Sequence, residues 1–185
     1  MNKEEKIEKK LEPQDKVRKI LIELVPYIII IFVVALIRSF VVTPVRVTGP
    51  SMYPYLKDGE ILVLNKMSKE YKRFDIIVAK ADNTQIIKRI IGLPGESIEY
   101  KDCKLYINGN EISDFVKECI TDDFTLEDLY DYVVIPKGYY FVMGDNRKES
   151  SDSRDYRIGL IKKEDIQGRA VFRLTPFKRF GSLKK

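Results

Sequence analysis

From Leu24 to Val42 the chain reads LVPYIIIIFVVALIRSFVV, an apolar run with a single charge, Arg38, near its far end. At 1.5 Å per residue this run makes roughly 28 Å of helix, close to the ~30 Å hydrocarbon core of a bilayer, so it can span a membrane. Arg38 would then snorkel outward along its own aliphatic stem, and Pro26 is expected in the first turn, where a missing N–H does little harm. A cleavable leader is the alternative, but no Ala-x-Ala-like site follows, and Thr43-Pro44 opens an extended segment instead. Lys3, Lys6, Lys9, Lys10, Lys16, Arg18 and Lys19 precede the run, which predicts a cytoplasmic N-terminus and an outer domain after residue 42. The expected organisation is a basic tail over 1–19, a transmembrane helix over 20–42, an extracytoplasmic domain over 43–177 and a basic tail over 178–185.

About 140 residues remain outside the span, enough for one domain with a single core. The formal charge of +5, from 33 Lys and Arg against 28 Asp and Glu, is too small to argue for nucleic acid. In a tethered protein it favours an anionic lipid surface instead. Cys103 and Cys119 fit no CxxC spacing, and the chain contains no histidine, so neither a metal site nor a cofactor is expected. Two unpaired structural thiols are preferred here over a disulfide, which would suit an oxidising exterior.

The rest of the chain alternates short apolar runs with turn residues, the pattern of a mainly β, antiparallel domain. Expected strands cover Val45 to Thr48, Glu60 to Asn65, Asp75 to Lys80, Gln85 to Ile91, Ser97 to Tyr100, Lys104 to Ile107, Tyr139 to Met143 and Gly168 to Leu174. Asn108-Gly109 between Leu-Tyr-Ile and Asn-Glu-Ile predicts a tight hairpin, and Thr125 is the expected N-cap of a short helix reaching Tyr132. Ser113 to Asp131 reads as an insertion on one side of the sheet, within an inserted segment of about 96–135. Lys178 to Lys185 reads as a frayed, solvated basic end.

A serine hydroxyl attacks poorly until a base takes its proton, and without histidine that base must be a lysine. Ser51, in the run Gly49-Pro-Ser-Met-Tyr-Pro54, is the candidate nucleophile. Lys88, in Gln85-Ile-Ile-Lys-Arg-Ile-Ile-Gly92, is the candidate base, because strand alternation sets it on the apolar face with Ile86 and Ile90. Desolvation there lowers an amine's pKa and leaves a neutral fraction near pH 7. The bland reading is a lysine snorkelling from an edge strand. A third segment, Gly144-Asp-Asn-Arg-Lys-Glu-Ser-Ser-Asp-Ser-Arg154, supplies hydroxyls and carboxylates able to orient that amine or to pair with Arg89, Arg147 or Arg154.

GPSMYPYL, KRIIGLPGE and GDNRKESSDSR resemble three signature boxes of the bacterial type I signal peptidases, membrane-bound Ser/Lys proteases that remove signal peptides from exported proteins. Phe74-Asp-Ile-Ile-Val78 resembles a fourth, and the resemblance runs from about residue 20 to 175. It implies that Ser51 is the nucleophile, Lys88 the general base, and Ser150 the hydroxyl that holds the lysine amine. It implies that Arg89, Asp145, Arg147, Asp152 and Arg154 brace the site, and that Val45, Val47, Met52, Leu56, Ile86 and Ile87 line shallow pockets for small residues. The implied fold is an extracytoplasmic β domain with a hydrophobic surface near the cleft, and the implied partners are preprotein signal peptides and the lipid bilayer.

Gly49 stands where some members carry a serine that donates to the oxyanion, which is similar to the shorter Gram-positive-type members. Tyr55 stands where threonine commonly follows the proline. Two rival readings remain from sequence: a soluble self-cleaving repressor-type Ser/Lys protease, opposed by the membrane run, and a non-cleaving assembly factor for surface structures such as pili, opposed by the presence of both Ser51 and Lys88.

Overall fold

The computed structural model describes residues 13–40, 42–68, 70–114, 116 and 118–183. The chain divides into two units, a helix-bearing N-terminal segment and a β unit from Val42 onward. Helix α1 covers Pro13–Phe40, 28 residues, and its stretch Lys16–Leu36 is long and apolar enough to cross a membrane. The helix starts earlier than the expected span and stops before Val42, which already belongs to the first strand. Pro26 is therefore interior to the helix rather than in its first turn; Pro13 occupies the terminal position, where a missing N–H is harmless. Lys3, Lys6, Lys9 and Lys10 and the side chain of Arg38 lie outside the described residues.

The β unit is built from two antiparallel sheets. The larger contains β1 (Val42–Arg46), β2 (Ile61–Asn65), β3 (Ile76–Ala81), β4 (Thr84–Gly92), β9 (Tyr139–Met143), β10 (Ile161–Lys162), β11 (Ile166–Thr175) and β12 (Gly181–Ser182). Its order is β1-β2-β11-β3-β4-β9-β10, with β12 also on β11. The smaller contains β5 (Ile98–Lys101), β6 (Lys104–Ile107), β7 (Asn110–Ile112) and β8 (Phe124–Thr125), in the order β7-β6-β5-β8. The segment expected to be an insertion thus forms a sheet of its own. Asn108 and Gly109 both take positive φ, as a two-residue hairpin between twisted strands requires.

Strand β2 alternates buried Leu62 and Leu64 with half-buried neighbours, whereas β3 sits inside the sheet and is buried on both faces at Ile76, Ile77, Val78 and Ala79. One apolar cluster gathers Val45, Val47, Met52, Leu56, Leu62 and Leu64 below the β1–β2 connection. A second joins the sheets by packing Phe141 and Met143 against Ile98, Tyr100 and Leu105. Gly92 is tightly covered: a Cβ there would overlap the Ile98 and Ile135 side chains.

Helix α2 (Leu126–Tyr130) begins at Thr125 with a full capping box, in which Thr125 and Asp128 satisfy each other's backbone N–H groups. Cys103 and Cys119 form a disulfide, correcting the expectation of free thiols; the turn after β5 and the chain before Thr121 bring their Cα atoms to 4.9 Å. The C-terminal expectation is also corrected. Phe177–Arg179 form a 3-10 turn, β12 pairs with β11, and Leu183 packs on the first cluster, so residues 178–183 are docked rather than frayed, while Lys184 and Lys185 lie outside the described residues.

Candidate active site

Ser51 heads a compact turn between β1 and β2. Tyr53 N–H bonds Pro50 O at 2.9 Å, Leu56 N–H bonds Met52 O at 2.8 Å, and the Gly49 N–H bonds Asp58 Oδ1 at 2.9 Å. Met52 and Leu56 anchor this turn in the core while Ser51 stays half-buried. Gly49 has φ +84, a conformation an L-serine would adopt only with strain, although the space beside it is open.

Lys88 lies on β4 in register with Ile77 of β3 and is 4% exposed. Ile86 and Ile90 pack with Ile77, Ala79, Tyr140 and Val142 in a third apolar cluster, while Ile87 packs with the first, the alternation expected of this strand. Ser51 and Lys88 line one open groove of about 360 Å³, together with Thr48, Pro50, Ile86, Ile87 and Glu149. Burial pulls the Lys88 amine below its ordinary pKa; the Asp152 and Asp145 carboxylates resist that fall and the Arg154 guanidinium adds to it. Among the described residues no hydrogen bond links Ser51 to Lys88. The Ser150 hydroxyl is buried and makes no hydrogen bond, to Lys88 or to any other group.

The 144–154 loop meets the Ser51 turn directly. Asn146 N–H bonds the Ser51 carbonyl at 3.0 Å, and its side-chain amide bonds Pro50 O at 3.2 Å. Arg89, Arg147 and Arg154, the three arginines expected near the site, each form an ion pair. Arg89 makes a doubly bonded pair with Asp145, at 2.8 and 2.6 Å, with both side chains at most 3% exposed. Asp152, fully buried, accepts from Arg154 Nε at 2.8 Å and from the Gly144 N–H at 2.9 Å. Arg147 pairs with Asp114 at 2.6 and 2.7 Å and bonds Gly144 O at 3.2 Å. Burial works against the Arg147 charge, but the Asp114 carboxylate more than offsets it and the guanidinium pKa is raised.

Of the six expected pocket residues, Ile86 and Ile87 line the groove; Val45, Val47, Met52 and Leu56 lie in the core cluster that supports it. Among the described residues no group of three His, Cys, Asp or Glu side chains is placed to hold a metal ion.

The family described as "Signal peptidase, peptidase S26" matches residues 21–175. The chain belongs to this signal peptidase family. It is 40% identical over 168 residues to signal peptidase I of Bacillus caldolyticus, covering 84% of this chain and 91% of that one. It is 41% identical over 170 residues to signal peptidase I S of Bacillus subtilis strain 168, covering 86% and 92%. The crystal structure of a signal peptidase I from Enterococcus faecalis V583 superposes with a TM-score of 0.50 at 40% identity, covering 54% of this chain and 96% of that one.

Sequence reasoning quoted the 144–154 segment of this signal peptidase fold but gave no contact to Gly144 or Asn146: Asn146 bonds the Ser51 carbonyl, and Gly144 leaves no room for a Cβ beside it. Ser153 accepts from Val142 N–H and donates to Gly159 O, closing the loop after β9. Tyr130, its hydroxyl bonded to Ser153 O, is pushed up to about 12 by burial and by the Asp152 and Asp155 charges. Asp114 sits in an irregular stretch whose partner, Arg147, only the fold identifies.

Proposed function

We propose that Ser51 and Lys88 are the nucleophile and general base with which this signal peptidase removes signal peptides from exported preproteins. The observation that carries the assignment is that a half-buried serine and a buried lysine of lowered pKa line the same groove in a chain without histidine. The neutral Lys88 amine takes the Ser51 proton as the hydroxyl attacks the scissile carbonyl, and returns it to the departing amine of the mature chain. An acyl-enzyme on Ser51 remains, and a water deprotonated by Lys88 hydrolyses it. Hydrogen bonds of such dyads tighten when substrate excludes water, so the unliganded groove need not hold them closed.

The Ser51 N–H has no partner among the described residues and is the oxyanion donor in this reading; the Gly49 N–H is already held by Asp58. Ser150, buried and unpaired, is the hydroxyl assigned to the Lys88 amine. An extended signal-peptide end with small residues fits an open groove walled by Ile86 and Ile87.

α1 is read as a single membrane span with the N-terminus cytoplasmic and the β unit outside, a topology supported by the basic residues before it and by a disulfide suited to an oxidising exterior. Tethering enzyme and substrate to one bilayer raises their effective concentration without new contacts. The test is cleavage of a preprotein bearing an Ala-x-Ala site in detergent. Wild type should cut after the second alanine, and Ser51→Ala and Lys88→Ala should not; persistent cleavage by a folded Lys88→Ala variant would remove lysine from the mechanism.

A further inference from the structure

The C-terminal segment 176–183 reaches back to the turn that carries Ser51. Arg179 Nη2 donates to the Tyr55 carbonyl at 2.8 Å, and the Tyr55 hydroxyl donates to Leu183 O at 3.3 Å. Arg173, at the end of β11, donates to the same Tyr55 carbonyl at 2.7 Å. Both guanidinium groups close on one carboxylate: Glu60, 2% exposed, pairs with Arg179 at 2.5 Å and with Arg173 at 2.9 Å. Two guanidinium groups lie over the Tyr55 ring, Arg89 at 4.8 Å and Arg173 at 5.7 Å from its centroid.

This network adds to the anchoring of Met52 and Leu56 in the core, on a turn whose groove side is not packed. On the groove side Gly49 faces open space and Pro50 is exposed, so core packing does not orient Ser51 from there. Its backbone is positioned from the loop side by Asn146 and from the far side through Met52–Leu56, the hydrogen-bonded turn that contains Tyr55. Removing Arg179 leaves a buried carboxylate with one cation and the Tyr55 carbonyl with one donor, an arrangement that must relax by moving the turn.

We infer that segment 176–183 is a strap that positions the nucleophile turn, with Arg179 as its positioning residue; this rests on the assignment of Ser51 above. The strap touches no reacting atom, so its loss lowers turnover rather than substrate affinity. Aromatic and basic residues at a chain end also suit a lipid surface, and Lys178 separates the two explanations because it is exposed and lies beside Arg179.

The experiment measures kcat and KM for the full chain in detergent with Arg179→Ala, Arg179→Lys, Lys178→Ala, Tyr55→Phe and Ser51→Ala, alongside thermal melts. Arg179→Ala should lose about 10- to 100-fold in kcat with KM within about twofold, because small misplacements of a reacting group cost that much. Arg179→Lys should recover part of the loss and Lys178→Ala should match wild type. An unchanged kcat in folded Arg179→Ala, a change confined to KM, or an equal loss in Lys178→Ala would overturn the inference. Should Arg179→Ala fail to melt cooperatively, Tyr55→Phe decides: it cuts the strap's other bond, and a wild-type kcat there also overturns it. An active Ser51→Ala would instead refute the nucleophile assignment, whatever Arg179→Ala does.

Discussion

Gly144 lies flat against Ser51: a methyl on its Cα would sit well inside van der Waals contact with both the Ser51 carbonyl oxygen and the Ser150 side chain. Its φ is not in the left-handed region, so the requirement for glycine is one of space rather than of backbone freedom. Gly144→Ala should push the Ser51 turn and the Ser150 hydroxyl apart. Expected effects are a loss of about 100-fold in kcat and a destabilisation of about 1–3 kcal/mol. Preprotein cleavage and urea unfolding read the two quantities separately, and an alanine variant with wild-type turnover would contradict the close contact.

The lowered Lys88 pKa fixes the sign of the pH dependence. The free enzyme needs a neutral amine, so kcat/KM should rise with pH through the Lys88 pKa and level off below the ordinary lysine value of 10.5. Arg154→Gln removes a positive charge that favours the neutral form and should move that limb to higher pH. A limb that stays in place would mean that another group titrates.

The same shift should carry over into stability. Because the unfolded lysine holds its proton at pH values where the buried one has lost it, unfolding takes up a proton there and stability rises with pH across that interval. Below the folded pKa the cost of burying the charged amine is present in full. Lys88→Met should therefore stabilise the protein more near pH 6 than near pH 10, as measured by urea midpoints at the two pH values.

Arg89 and Asp145 exchange two hydrogen bonds out of contact with water, joining β4 to the loop after β9. Asp145→Asn keeps the shape but strands a buried guanidinium and should cost about 3–5 kcal/mol. Replacing Arg89 by lysine should cost in the same direction, since one ammonium cannot serve both carboxylate oxygens and the Phe74 carbonyl that Arg89 also reaches. Chemical denaturation of the two single variants and the double variant should show strong non-additivity.

The Cys103–Cys119 bridge closes the chain that carries Asp114, and Asp114 neutralises Arg147. Reduction should release about 3 kcal/mol of constraint on the unfolded chain, by loop length alone. The Cys103→Ser/Cys119→Ser variant should melt lower than the oxidised protein and match the reduced one; equal melting of all three forms would show that the bridge contributes nothing.

The parts of the fold that were legible in the sequence are those governed by local rules. Alternation along Gln85–Ile91 placed Lys88 on one face, Asn108-Gly109 named its own turn, and Thr125 marked a helix start. Strand limits shifted by up to three residues, as at β1, which begins at Val42 rather than Val45. What escaped depends on partners far apart in the chain. Nothing near Asp114 points to Arg147, and nothing near Lys178-Arg179 points to Glu60, so a charged chain end reads as solvated until the fold supplies a buried carboxylate. β-core and pocket residues share one composition, so sequence does not separate a core role from a pocket role for Val45, Val47, Met52 and Leu56, all four of which are buried in the first cluster.

Strand β11 lies between β2 and β3, although it follows both by some ninety residues of chain, and the strap comes after it. A polypeptide emerging N-terminus first therefore exposes Ser51 and Lys88 long before the sheet that holds them can close. Until Ile166–Thr175 slots into the gap and Arg179 reaches Glu60, the growing chain carries the residues of a protease without its geometry. A nascent chain stalled before residue 166 should therefore leave the preproteins around it uncut.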